Sequence, residues 1–258
     1  MSHYTVAVFT KNKNDSIKKL LAPYDENIQV APYVERTKAQ IIQYERDELQ
    51  KDFDGPYSEW QKDSAVYKSK CKNPQHITYL KTIPNRMKWS DEKLYKHATE
   101  GLEDRLTENG DLISTYNPKS KWDGWEIGGR WENLLILKDK RSSNAAYMSD
   151  IDFSAMRVRD LKELTPYNDV INDSYFKEEY MREKFPTEDE YINRSLLFTT
   201  YAVVTPYGVW HEAGKMGWWG VSCASPKDER EWDLRYYKHF IEPASEHNWY
   251  MTIVDCHI

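Results

Sequence analysis

The stretch Asn117 to Trp131, Asn-Pro-Lys-Ser-Lys-Trp-Asp-Gly-Trp-Glu-Ile-Gly-Gly-Arg-Trp, constrains this chain more than any other. Its three indoles, three glycines and alternating charges suit neither a routine helix nor a routine strand. Glycine pairs let a backbone take positive φ or approach another group closely, and indoles are large rigid surfaces that need burial or a ligand. The flanks, Leu112 to Tyr116 and Trp131 to Leu137, have the apolar character of strands, so the box is expected to be a loop between two strands. Loops held by a rigid sheet often carry function.

The rest of the chain reads as strands and helices in irregular alternation. Tyr4 to Thr10 is a β-branched and aromatic run ending in polar turn residues, a first strand inside a sheet. Asp15 or Ser16 caps a short helix that Pro23 stops. Asn27 to Glu35 is extended, with Pro32 at an edge or bulge. Thr37 and Gln40 have the spacing of a capping box for a helix through Leu49, and Thr187 and Glu190 repeat it. Leu196 to Thr205 reads as a second clear strand. Ser225-Pro226 opens a helix with Trp232, Tyr236 and Phe240 on one face, closed at Pro243. Trp249 to Ile258 is a final strand. Asp52 to Gly110 is polar and lysine-rich, with scattered apolar anchors and a cap at Ser90. The order predicts one elaborated α+β domain over residues 1–258: a ferredoxin-like, mostly antiparallel sheet with large helical insertions, the main one at about 52–110.

Composition narrows the function classes. The 19 Tyr and 10 Trp mean that rings fill much of the core, so packing is the ordinary role of any one aromatic. The net charge of −6 comes from interspersed acids and bases, which argues against a broad nucleic-acid footprint and against an acidic DNA mimic. No run of about 18 apolar residues is present, so no membrane span is expected. The opening residues lack a basic region followed by a long apolar core, so no secretory signal is expected. Cys71, Cys223 and Cys256 show no paired spacing, which fits a reduced cytoplasmic thiol state.

Two constellations could carry chemistry. The first is a ligand-binding set: Lys121, Trp122, Trp125, Gly128, Gly129, Arg130 and Trp131 from the box, with Trp218 and Trp219 of the Gly217–Gly220 stretch as facing partners. Rings stack on bases and an arginine fork matches phosphate or carboxylate, so the set suits a small anionic or nucleotide-like ligand. The alternative is a closed tryptophan knot in which Arg130 pairs with Glu126 or another acid. The second constellation is catalytic: His211, Asp255, Cys256 and His257. His211, Asp255 and His257 are competent zinc ligands, and Asp255 and His257 share one side of a regular strand. Cys256 could serve as a nucleophile with His211 as its base, since His257 points to the other face. No cofactor is read from the sequence, and enzyme and binding protein both stay open.

The box also resembles one found in a widespread group of poorly characterised bacteriophage proteins. Tyr-Thr-Val-Ala-Val at 4–8, Leu-Leu-Ala-Pro-Tyr-Asp-Glu-Asn at 20–27, His211-Glu212, Gly217-Trp218 and the closing Val-Asp-Cys-His-Ile resemble that group too, although Gly124 stands where its box leads one to expect a tryptophan. The resemblance implies a phage accessory protein in the cytoplasm of an infected bacterium. Its expected role is to capture a small ligand or a host defence protein and so blunt defence. The alternative is a metal-dependent hydrolase or nucleotide-modifying enzyme with its site at the C-terminal strand.

Overall fold

The computed structural model describes residues 2–62, 73–173, 178–214 and 224–258. They form two compact units, 1–28 with 117–258, and 29–116. The architecture is mixed α+β. Ten short strands occur among the described residues: β1 (His3–Thr10), β2 (Tyr33–Arg36), β3 (Leu112–Ser114), β4 (Gly124–Ile127), β5 (Leu135–Ile136), β6 (Ser142–Ser143), β7 (Ala145–Tyr147), β8 (Ala202–Val204), β9 (Trp210–Glu212) and β10 (Tyr250–His257).

The first unit is built on one sheet in the order β4-β10-β1-β8-β9, with β7 also pairing β10. β1 and β10 form its spine, antiparallel over their whole length from His3 opposite His257 to Thr10 opposite Tyr250. β1 is β-branched or aromatic at most positions and β10 at half of them, as strands buried on two faces should be. The β1–β8 pair is parallel, so the sheet is mixed. The hairpin β8–β9 enters beside β1 with its first strand and leaves by its second at the edge.

Alternation along the spine sends side chains to two cores. Ala7, Phe9, Met251 and Ile253 face a core with Tyr236, Phe240 and Met156. Tyr4, Val6, Val8, Val254 and Cys256 face a second with Leu21 and Trp122. The helix from Pro226 opens with a full Ser225–Asp228 capping box and presents Trp232, Tyr236 and Phe240 in mutual ring contact. It does not close at Pro243. A wide π turn over Tyr237–Ile241 leads into Glu242–Glu246, whose first turn tolerates a proline without an N–H.

The second unit begins and ends well outside the 52–110 expected, because β2 pairs with β3 and brings the extended flanks into the same body. Its helices, Lys38–Asp52, Ser58–Gln61, Pro74–Arg86 and Asp91–Ala98 among the described residues, bury Ile41, Leu49, Leu80, Ile83 and Leu94. The expected caps are present. Thr37 and Gln40 bond each other's backbone N–H groups, and Ser90 accepts from Lys93 N–H.

The structure corrects three strand expectations. Leu196 to Thr205 is strand only at Ala202–Val204, because the preceding helix, capped by Thr187, runs to Ser195. Trp131 to Leu137 is no core strand: a 3-10 turn at Gly129–Trp131 leads to a two-residue ladder with β6. The box itself, expected to be a loop, contains β4. No helix among the described residues is long and apolar enough to cross a membrane.

Candidate functional site

β4 lays the middle of the box along the end of β10, with Gly124 opposite His257, Trp125 opposite Cys256 and Glu126 opposite Asp255. Alternation then divides the residues expected to act together. Trp125 and Cys256 point to the apolar side, and Gly124, Asp255 and His257 to the other, where His3 stands across from His257 on β1. Asp255 and His257 share one side as the sequence pattern predicts.

Four polar side chains and one backbone N–H meet on that second side. The His3 Nδ1 lies 2.9 Å and 3.0 Å from the two oxygens of Asp255, whose side chain is fully buried. The Arg130 backbone N–H also donates to Asp255, at 3.0 Å. The His257 Nδ1 lies 2.6 Å from Asp123 Oδ1. The two imidazole centroids are 5.3 Å apart. A carboxylate only accepts, so each ring donates from Nδ1, and Nε2 is the nitrogen that carries the lone pair in the neutral ring and the second proton in the imidazolium. Among the described residues neither Nε2 has a partner, and the side chains of His3 and His257 are 17% and 26% exposed, enough for a ligand to reach.

The glycines of the box exist for this corner. A Cβ on Gly124 would come within 2.2 Å of the His257 ring, so only glycine lets the imidazole lie over β4. Gly129 takes φ +53°, and a Cβ there would stand 2.4 Å from the Asp255 Cβ. Gly128, at φ +77°, donates its N–H to Ile253 O, starting the turn that carries Arg130 N–H to Asp255. Gly128 and Gly129 therefore shape the site through backbone geometry.

The aromatic residues of the box do something else. Trp122 is buried in the second core beside Tyr4 and Val254, and Trp125 packs against the same core. Trp131 packs against the first. These rings stabilise the fold, and the buried Trp122 offers no face for a ligand. Lys121 is not an open anion site either. Its Nζ pairs with Glu212 at 2.6 Å, and the Trp210 indole takes the other oxygen of that carboxylate. Arg130 differs: its side chain is exposed and forms no ion pair among the described residues. Trp218 and Trp219 lie outside the described residues.

The catalytic expectations divide in the same way. Cys256 is buried on the face opposite His257; burial first, and then the neighbouring Asp255 carboxylate, push its thiol well above the ordinary range, so it is no nucleophile. His211 is on β9, separated from β10 by β8 and β1, about 14 Å away by strand spacing. It cannot share a metal with Asp255 and His257 or act as a base for Cys256. No group of three or more His, Cys, Asp or Glu among the described residues is arranged to hold a metal ion. His211 leans on Phe240 at 5.2 Å, where burial, and then His239, lowers its proton affinity.

His3 and Asp123 were not among the residues expected from sequence. The signal was present as His-x-Thr at the start of one strand and Asp-x-His at the end of another. It becomes a site only when the two strands are known to pair antiparallel with His3 opposite His257.

No family model, no curated protein and no solved structure matches this chain.

Proposed function

We propose that this protein is an acid–base catalyst acting on an anionic, nucleotide-like ligand, with His3 and His257 as the proton carriers. The observation that carries this reading is the pair of imidazoles 5.3 Å apart, each held at Nδ1 by its own carboxylate. A displacement at a phosphoester needs one group to take a proton from the attacking oxygen and another to give one to the leaving oxygen. Two oriented imidazoles supply both when one is neutral and accepts at Nε2 while the other is an imidazolium that gives up its Nε2 proton, each keeping its Nδ1–H on a carboxylate. The role of Asp255 and Asp123 is to fix ring orientation and tautomer. The exposed Arg130 guanidinium, carried on the residue whose N–H bonds Asp255, supplies the counter-charge for the non-bridging oxygens.

The biological setting belongs to the same proposal. It is the one implied by the box: a phage accessory protein in an infected bacterium, consuming or sequestering a nucleotide-like signal or metabolite and so blunting defence. The Trp-lined pocket has less support than the corner, since Trp122 is buried and Lys121 is paired.

The test is turnover of a panel of nucleoside monophosphates, cyclic phosphates and phosphodiesters, followed by phosphorus NMR. His3→Gln and His257→Gln should each lower the rate by about 10²–10⁴-fold while leaving the melting temperature nearly unchanged. Tight binding without turnover would support a purely sequestering protein instead, and turnover that survives both substitutions would overturn the assignment.

A further inference from the structure

We infer that a cavity beginning at Thr5 is the subsite for the sugar of that ligand, so that the ligand is a nucleoside or sugar phosphate and not a bare inorganic anion. This rests on the reading of His3 and His257 as the reacting end. Thr5 follows His3 by two residues on β1, on the same face of the sheet and opposite Asp255. The separation is about 7 Å by the strand rise, a distance that a sugar bonded to a phosphate spans.

The cavity holds about 270 Å³ and is lined by Thr5, Thr199, Trp232, Asp233 and Lys184 among others. That is just below the roughly 300 Å³ at which pockets for larger ligands begin, so it suits a sugar ring and not a whole dinucleotide. Its chemistry is unlike that of the corner. Asp233 accepts from Arg194 at 2.8 Å and 3.1 Å through Oδ2 alone, which leaves Oδ1 as an acceptor. Thr199 forms no hydrogen bond among the described residues. The Trp232 indole N–H is used on the Thr200 carbonyl at 2.9 Å, so what Trp232 adds to the cavity is ring surface. Lys184 is held by Glu229 at 2.5 Å and brings no uncompensated positive charge.

A wall with an open carboxylate oxygen, a free hydroxyl and ring surface matches sugar hydroxyls and the apolar face of a sugar. It offers a phosphate no unpaired cation, because Lys184 is held by Glu229 and Arg194 by Asp233. The negative end of the ligand is thereby sent to the His3–His257 corner and the hydroxylated end to the cavity. The exposed Arg130, without an ion pair among the described residues, at one end and the paired cations at the other set the direction in which the ligand lies.

Two probes separate the ends, each titrated alone by calorimetry or NMR: uridine or adenosine without phosphate, and inorganic phosphate. Thr199→Val, which removes only the hydroxyl, should weaken nucleoside binding by up to about tenfold and leave phosphate binding unchanged. Thr199→Ser should restore it. His257→Gln should do the reverse, weakening phosphate and sparing the nucleoside. Nucleoside binding that depends on Thr199 supports the subsite even if no turnover is found, in which case the acid–base reading fails alone. Absence of nucleoside binding, or binding that follows His257 and ignores Thr199, would overturn the subsite while leaving the proton carriers standing.

Discussion

The two faces of the β1–β10 spine differ in what they do with the same backbone. On one face Tyr4, Val6, Val254 and Cys256 are sealed under Trp122. On the other, one residue along, His3, Asp255 and His257 make a polar corner open to a ligand. Neighbouring residues such as Asp255 and Cys256 have opposite fates because the pleat turns successive side chains to opposite sides. The tryptophan box serves both faces at once. Trp122 and Trp125 close the side of Tyr4 and Cys256, while on the other side Trp131 packs against the core and the glycines admit the imidazole and the carboxylate.

The largest way to break this division is Trp122→Ala. It should cost about 3–5 kcal/mol, as removal of a buried indole does, measured by urea unfolding. The corner of whatever fraction stays folded should still bind phosphate. A molecule that keeps its stability but loses phosphate binding would place Trp122 in the site.

Gly129→Ala strikes the polar side. Positive φ and contact with Asp255 predict a loss of about 2–3 kcal/mol, with release of the Asp255 carboxylate from His3 and Arg130. A neutral result would mean that the turn rearranges freely and that the glycine pair has no part in holding Asp255.

Cys256→Ala should cost only about 1 kcal/mol and leave turnover untouched, because the thiol faces the closed core. In the native protein, peptide mapping after brief alkylation should find Cys256 unlabelled. Rapid labelling would show that this face opens.

The smallest effect concerns His211, away from both. Its proton affinity is lowered in the folded state, so the unfolded chain takes up a proton first as pH falls. His211 therefore contributes stability that is present above the ordinary histidine range and is lost as pH drops through it. His211→Gln should flatten the acid limb of the melting-temperature profile slightly, and a steeper limb would reverse the assigned sign.

Local features were legible in the sequence where they depend on neighbours along the chain. The capping boxes at Thr37 and Ser225, the cap at Ser90, the aromatic stripe Trp232-Tyr236-Phe240 and the final strand all follow from short-range chemistry. The shared side of Asp255 and His257 follows from strand pleat alone. What depended on pairing between distant segments was not legible. His3 and His257 are at opposite ends of the chain, and only the antiparallel register brings them together. The box looked like a ligand pocket because indoles beside basic residues carry the same signature whether the rings are covered or open. Glu212, far away in sequence, neutralises Lys121, and β10 covers Trp122 from a segment more than a hundred residues on. The second unit extended past its expected limits for the same reason: β2 and β3 recognise each other across the helices between them.

The central claim is that Asp255 and Asp123 each hold an imidazole through its Nδ1–H, so that Nε2 of His3 and of His257 is the atom that takes or gives the proton. Nitrogen NMR of the histidine rings, correlating each ring nitrogen with the carbon-bound ring protons, tests it directly. His3→Gln and His257→Gln assign the two signals. The account predicts that both rings, in their neutral form, are the Nδ1–H tautomer, and that adding phosphate shifts both Nε2 resonances. Rings found as the Nε2–H tautomer, or Nε2 signals indifferent to phosphate, would contradict it.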